Sequence, residues 1–243
     1  MQRILDSWHS PSLDRTMEIA TWGHFGFPLL MFPTAAADYL EYERFYVIDV
    51  MKDFIDSGKV KVFSINSINR MSWLNSELHP KYRAQRQVQY NNYIVNEVVP
   101  YIWNSCQSRV GIITTGASLG AFHAANQLFR RPDLFDGMIA MSGSYNIREY
   151  YEGDYHDENV YFNNPVDYLP NLEGHYLDLL RQKRHLHIVT GQGSYENPDA
   201  SRRLSGILSS KGVSHELDLW GYDMPHDWPT WRAMLPHYLG TRF

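Results

Sequence analysis

Short apolar runs rich in β-formers alternate along this chain with longer stretches in which apolar residues recur every three or four positions. Thr16–Trp22 and Pro28–Phe32 read as strands, the second apolar throughout, as a strand buried on both faces should be. Ala36–Ser57 reads as helical, and Lys59–Ile65 as a strand that breaks at Asn66. His79-Pro80 opens a helical region running to about Pro100, with Tyr90, Tyr93, Ile94, Val98 and Ile102 at helical spacing. Arg109–Thr115 is the next predicted strand, Leu119–Arg131 a helix ending at Pro132, and Gly137–Ser142 another strand. His185–Val189 (strand), Asp199–Lys211 (helix stopped by Gly212), His215–Trp220 (strand) and Trp228–Leu239 (helix) complete the alternation. Strands separated by helices of this length predict a mostly parallel central sheet flanked by helices on both faces, and ligands in such sheets bind beyond the carboxyl ends of the strands.

Nothing in the chain resembles a linker, an internal repeat or a low-complexity tract, so residues 1–243 are expected to form a single α/β domain without a large separate lid. The stretch at about 146–171 is polar, aromatic and irregular, and is long enough to be an excursion over the sheet. The 22 basic and 27 acidic residues, net charge −5, are spread along the sequence. No basic patch or acidic tail stands out, so neither nucleic acid nor an anionic membrane is an expected partner, and oligomeric state is not legible. Cys106 is the only cysteine, which excludes an internal disulfide, and no run approaches 18 apolar residues. With no secretory leader recognisable at the start, the expected location is cytoplasmic.

Chemistry enters at Gly116-Ala117-Ser118-Leu119-Gly120, which matches G-x-S-x-G. The bare pattern occurs by chance in about one chain in ten, so its setting has to decide. Here it lies between an apolar strand and a helix, the strand–turn–helix context of the nucleophile elbow in α/β-hydrolases. A Cβ at Gly116 or Gly120 would obstruct the approach of helix and strand. The helix N-terminus offers free N–H groups to a developing oxyanion. Ser118 is therefore the expected nucleophile.

A serine hydroxyl needs a base, and the base an acceptor that holds one tautomer; in this fold the order along the chain is Ser, acid, His. Of 11 histidines, His226 lies in a turn-rich loop just past the carboxyl end of His215–Trp220, on the side of the sheet expected for Ser118. His215 begins that strand and His237 lies inside the closing helix. His123, one turn past Ser118, could border the site but reads more readily as a structural histidine. His185 and His187 face the same way on one strand, yet no third ligand accompanies them, and no metal site is expected. For the acid, the loop after His185–Val189 offers Glu196 and Asp199. Glu196, mid-loop, is preferred; Asp199 follows Pro198 at a helix start, where acids cap. Asp227 adjoins His226, and neighbouring side chains diverge.

The first oxyanion donor is expected to be the Leu119 N–H. The second should come from Thr34, Ala35 or Ala36 in the loop after Pro28–Phe32, with Ala35 the preferred residue. An aromatic content of 14% suggests either a thick core or an apolar cleft. Tyr39, Tyr42, Tyr145, Tyr161 and Phe162 are candidate walls of an acyl or aryl pocket, or equally packing.

With these residues in place, the chain resembles the esterase family that includes esterase D-like enzymes and the antigen 85 mycolyltransferases. The resemblance spans nearly the whole length. It is carried by Gly116–Gly120, by Arg131-Pro-Asp-Leu-Phe-Asp-Gly137 leading to Ser142-Gly-Ser, and by His226-Asp-Trp-Pro-Thr-Trp-Arg. It is strongest towards a compact bacterial branch, through Val160-Tyr-Phe-Asn-Asn-Pro-Val-Asp and Gly191-Gln-Gly. The resemblance implies hydrolysis of small-molecule carboxylic esters through an acyl-enzyme, without metal or cofactor, and implies Glu196 as the acid. Many relatives carry His-Gly after the early strand where this chain has Pro33-Thr34. A carboxylesterase is the leading expectation. An acyltransferase passing the acyl group to a hydroxyl other than water, and an inactive binding protein on the same fold, are the alternatives.

Overall fold

In the computed structural model, which describes residues 1–243, eight strands form one sheet. They are β1 (Arg3–Ser10), β2 (Arg15–Trp22), β3 (Phe27–Phe32), β4 (Val60–Ile65), β5 (Ile112–Ala117), β6 (Phe135–Met141), β7 (His185–Thr190) and β8 (Glu216–Leu219). Their order is β1-β2-β4-β3-β5-β6-β7-β8, with β1–β2 and β2–β4 antiparallel and every other neighbouring pair parallel. The longer helices are α1 (Pro80–Tyr93), α2 (Val99–Cys106), α3 (Leu119–Arg130), α4 (His175–Arg181), α5 (Pro198–Ser210) and α6 (Trp228–Thr241).

The period-2 alternation of strand side chains divides the core into two layers. Leu30 and Phe32 of β3, Met138 and Ala140 of β6, and Leu186 and Ile188 of β7 face α1–α5. Leu29, Met31, Ile139, Met141 and Val189 point the other way, against α6 and the short helical turns of 41–56. Both faces of the central strands are therefore covered, which is why β3 and β5 are buried almost throughout without polar-out alternation, the Thr114 and Thr115 hydroxyls of β5 being bonded to backbone carbonyls. The expected α/β architecture without a separate lid is what the chain forms.

Two expectations need correction, and one strand lies outside them. The strand Arg3–Ser10 was not legible: it is an edge strand, mostly exposed on both faces, so no hydrophobic period marks it. The stretch Ala36–Ser57 is not one helix but three short ones, Glu41–Arg44, Val47–Val50 and Lys52–Asp56, broken where Tyr46 takes a left-handed φ of 61°. The helical region opened by Pro80 passes Pro100 and ends at Cys106. A π-turn at Ile94–Val98 lets Pro100 sit in the first turn of α2, where its missing N–H goes unnoticed. No helix is long and apolar enough to cross a membrane.

The excursion at about 146–171 consists of short helical turns lying over the sheet. Its Ile147 and Val160 pack with Trp73, Ala84, Phe122 and Leu119, the residue after Ser118.

Candidate active site

The strand order β3-β5-β6-β7-β8 sets five carboxyl-terminal loops side by side, each about 4.8 Å from the next. They carry Pro33–Ala36, Ser118, Ser142, Glu196 and His226 in that order. Backbone bonds extend the ladder past the strand ends: Ser118 N donates to Met141 O (2.9 Å), Ser142 N to Val189 O (2.7 Å) and Trp220 N to Thr190 O (2.8 Å).

Ser118 occupies the N-cap position of α3 with φ 57° and ψ −123°, a strained backbone for a residue with a side chain, costing about 1–3 kcal/mol. A serine at an N-cap ordinarily bonds the helix amides, but the Ser118 side chain makes no capping bond. Its hydroxyl is left for other chemistry, and the first amides of α3, beginning with Leu119, lack intrahelical partners. The elbow is closed from both sides. A Cβ on Gly116 would lie 2.4 Å from the carbonyl carbon of Gly120, and one on Gly120 would lie 2.3 Å from Phe32 O. The hydroxyl of the fully buried Tyr42 ties the same region together, donating to Phe32 O (2.8 Å) and accepting from Ala117 N (3.0 Å).

The Glu196 side chain is 1% exposed, with Oε2 3.3 Å from His226 Nδ1. Ser142 Oγ donates to Glu196 Oε1 (2.6 Å), Thr190 Oγ1 to Oε2 (3.0 Å) and Gly191 N to Oε1 (3.3 Å). Burial pushes the Glu196 carboxyl up, but the donors His226, Ser142 and Thr190 together outweigh it and hold it below the ordinary carboxylate value. The Glu196 and His226 loops are bonded backbone to backbone: Gly193 N to Met224 O (3.0 Å), Gln192 N to Gly221 O (3.2 Å) and His226 N to Ser194 O (2.9 Å). Gly191 is required in this contact, since a Cβ there would lie 2.0 Å from Met224 O. Trp231 of α6 closes the set, donating from Nε1 to Ser142 Oγ (3.0 Å) and meeting the His226 ring edge-to-face at 5.1 Å. Nδ1 being taken by Glu196, the imidazole presents Nε2 as its remaining nitrogen.

Asp199 does not join this group. It is 86% exposed and pairs with Arg202 at 2.8 Å in the first turn of α5. Of the three amides considered after β3, Thr34 N is committed to Glu41 Oε2 (2.8 Å), while Thr34 Oγ1 donates to Glu41 Oε1 (2.6 Å). Ala35 and Ala36 are exposed. His123 is buried behind the elbow, its Nε2 2.7 Å from Asn69 Oδ1. His185 stacks on Phe243 at 4.2 Å, His187 bonds Glu216 through Nδ1 (2.8 Å), and no group of three or more His, Cys, Asp or Glu side chains could hold a metal.

The aromatic residues considered as pocket walls or as packing are placed as follows. Tyr145 is 1% exposed and belongs to the core, against Gly143. Phe162 and Tyr161 line a cleft of ≈ 470 Å³ with Phe129 and Arg130, at the far end of α3, about 18 Å from Ser118 by helix rise. Tyr39 is half-buried, its N–H bonded to Asn66 Oδ1 at 2.9 Å. Of the expected aromatics Tyr42 does reach the elbow, as a buried packing residue bonded to Ala117 N, and Trp73 and Phe122 pack beside Leu119. Periodicity could not separate these roles, because most of these rings lie in polar, irregular segments where no apolar period runs. Ser142, Thr190 and Trp231 also escaped notice, although Ser142 stands at the carboxyl end of the strand beside the elbow strand, a position that could have flagged it.

The strand order, with helices on both faces of the sheet, is that of the α/β-hydrolase fold. The chain belongs to the esterase family whose description reads "Putative esterase", matched over residues 36–241, and it is an ester-hydrolysing enzyme. Among solved structures it is similar to a ferulic acid esterase (18% identity, TM-score 0.74, covering 98% of this chain and 96% of that one). It is also similar to the S-formylglutathione hydrolase FrmB from Staphylococcus aureus (15%, TM-score 0.68, 98% and 97%) and to MPT51 from Mycobacterium tuberculosis (15%, TM-score 0.70, 97% and 97%). No curated protein matches the chain by sequence.

Proposed function

We propose that the chain is a serine carboxylesterase working through Ser118, His226 and Glu196 and an acyl-enzyme. The observation that carries this reading is the buried Glu196 carboxylate, held on His226 Nδ1 by three further donors, at the same edge of the sheet as a serine in strained backbone that caps nothing. Ser118 Oγ attacks the ester carbonyl carbon as His226 Nε2 takes its proton. The carbonyl π electrons move to oxygen, and the amides of Leu119 and Ala35 hold the oxyanion, each worth about 3–4 kcal/mol in the transition state. Collapse breaks the C–O bond to the alcohol, which leaves with the proton from His226. Water then repeats the attack on the acyl-Ser118 ester, giving the carboxylic acid and the free enzyme. Glu196, kept ionised, orients the ring and stabilises the imidazolium that forms in each half. The substrate is a small-molecule ester, and the setting is cytoplasmic.

The test is a series of p-nitrophenyl esters of increasing acyl length, run on wild type and Ser118→Ala, with fluorophosphonate labelling mapped by mass spectrometry. A mutant as fast as wild type, or label elsewhere than Ser118, overturns the reading. Product analysis with a competing alcohol separates hydrolysis from acyl transfer.

A further inference from the structure

Asn69 and His123 are fully buried polar residues from different parts of the chain, and they meet directly behind the loop that follows β3. Asn69 Nδ2 donates to Thr34 O (3.2 Å) and Ala35 O (2.6 Å), and Asn69 Oδ1 lies 2.7 Å from His123 Nε2. Carbonyl oxygens only accept, so the amide group facing them must be the NH2, and Oδ1 must face the histidine. Oδ1 in turn only accepts, so His123 carries its proton on Nε2. Burial pushes the His123 pKa down to about 3, which keeps the ring neutral and this tautomer constant at any working pH.

Two features give the contact a function beyond packing. In a trans peptide the N–H lies opposite the C=O, and the chain has no cis bonds. Drawing Thr34 O inward to Asn69 therefore turns the Ala35 N–H outward, on the exposed side of the loop. Secondly, His123 Nδ1 is buried without a partner. An orphaned buried acceptor lowers stability, whereas an apolar side chain would fill the space without one. His123 is also on α3, whose first residue follows Ser118, so the chain His123–Asn69–Thr34/Ala35 ties the loop and the nucleophile to one frame.

We propose that Asn69, oriented by His123, is a positioning residue for the second oxyanion donor, capturing the Thr34 and Ala35 carbonyls and so aiming the Ala35 N–H at the reacting carbonyl. This rests on the Ser118 esterase reading above. It explains how a donor loop carrying Pro33-Thr34 holds its geometry, since the Thr34 amide and hydroxyl are already taken by Glu41.

The experiment measures kcat and KM for p-nitrophenyl acetate per active site, titrated with a fluorophosphonate, and inhibition by an aryl trifluoromethyl ketone whose adduct bears the oxyanion. Asn69→Ala and His123→Leu should each lower kcat per titrated site by about 10–100-fold with KM nearly unchanged, and weaken the ketone in parallel. The double variant should be no slower than the slower single one, because both break the same chain. His123→Gln, which keeps an N–H donor for Asn69 Oδ1, should stay within about threefold of wild type. Wild-type kcat per site in Asn69→Ala, or a loss confined to KM, overturns the inference while leaving the esterase reading intact. Should Asn69→Ala not fold, the His123 pair decides, with equal activity in the Leu and Gln variants overturning it. Wild type that is not labelled at Ser118 overturns both.

Discussion

The Ser142 hydroxyl donates to Glu196 Oε1 at 2.6 Å while accepting from Trp231 Nε1 at 3.0 Å, so one serine links the closing helix to the carboxylate beside His226. Ser142→Ala removes a donor from a buried charge and leaves the Trp231 N–H unpaired. We expect stability to fall by about 1–3 kcal/mol in urea denaturation. With Glu196 less firmly held, kcat for a p-nitrophenyl ester should drop by about 10-fold at little changed KM.

Glu196→Gln and Asp199→Asn should separate sharply. The first replaces the acceptor of the His226 Nδ1 proton with a group that can turn its NH2 toward the ring, and kcat should fall by about a thousandfold or more. The second changes an exposed helix-start residue paired only with Arg202, and kcat/KM should stay within about twofold. Steady-state kinetics on the two proteins checks this, and loss in the Asp199 variant alone would refute the assignment.

Gly191→Ala tests the contact between the acid and histidine loops. The added methyl meets Met224 O, a backbone atom two residues before His226, and cannot be accommodated by a rotamer change. Stability should fall by about 2–4 kcal/mol. Activity per folded molecule should fall too, because the bonds that set Glu196 against His226 run through the same segment. Circular dichroism melts and active-site titration distinguish the two effects.

Acid stability should depend on Glu216. Arg242 holds its carboxylate down most strongly, burial opposes, and His187 Nδ1 adds to the lowering, so its pKa is pulled to about 2. A folded pKa below the unfolded one stabilises the fold above the unfolded value, near 4.5, and that contribution is lost as pH falls towards 2. Screened by solvent, it amounts to about 1–2 kcal/mol. In denaturation measured from pH 6 to pH 2, Glu216→Gln should be less stable than wild type at pH 6, with the difference closing in acid.

The alternation of strands and helices, the parallel sheet and the tight Gly116–Gly120 turn were determined by sequence alone, because each rests on local periodicity or on glycines demanded by close backbone approach. The failures were equally physical. The Arg3–Ser10 strand buries too little to show a period, and Tyr46 breaks a helix with a conformation that no local pattern announces. What only the tertiary structure decided is proximity. Strand order brings loops as distant in sequence as those at Pro33 and Ser118 to neighbouring sheet positions, and side-chain reach then selects Glu196 over Asp199 as the acid touching His226. The same order assigns Ser142, Trp231, Asn69 and His123 their contacts, and it sends Tyr145 into the core and Phe162 to the far end of α3. Hydrophobic patterning tells a residue only which way to face. Which other residue it meets there depends on how the strands are ordered, and that order is set by contacts distant in sequence.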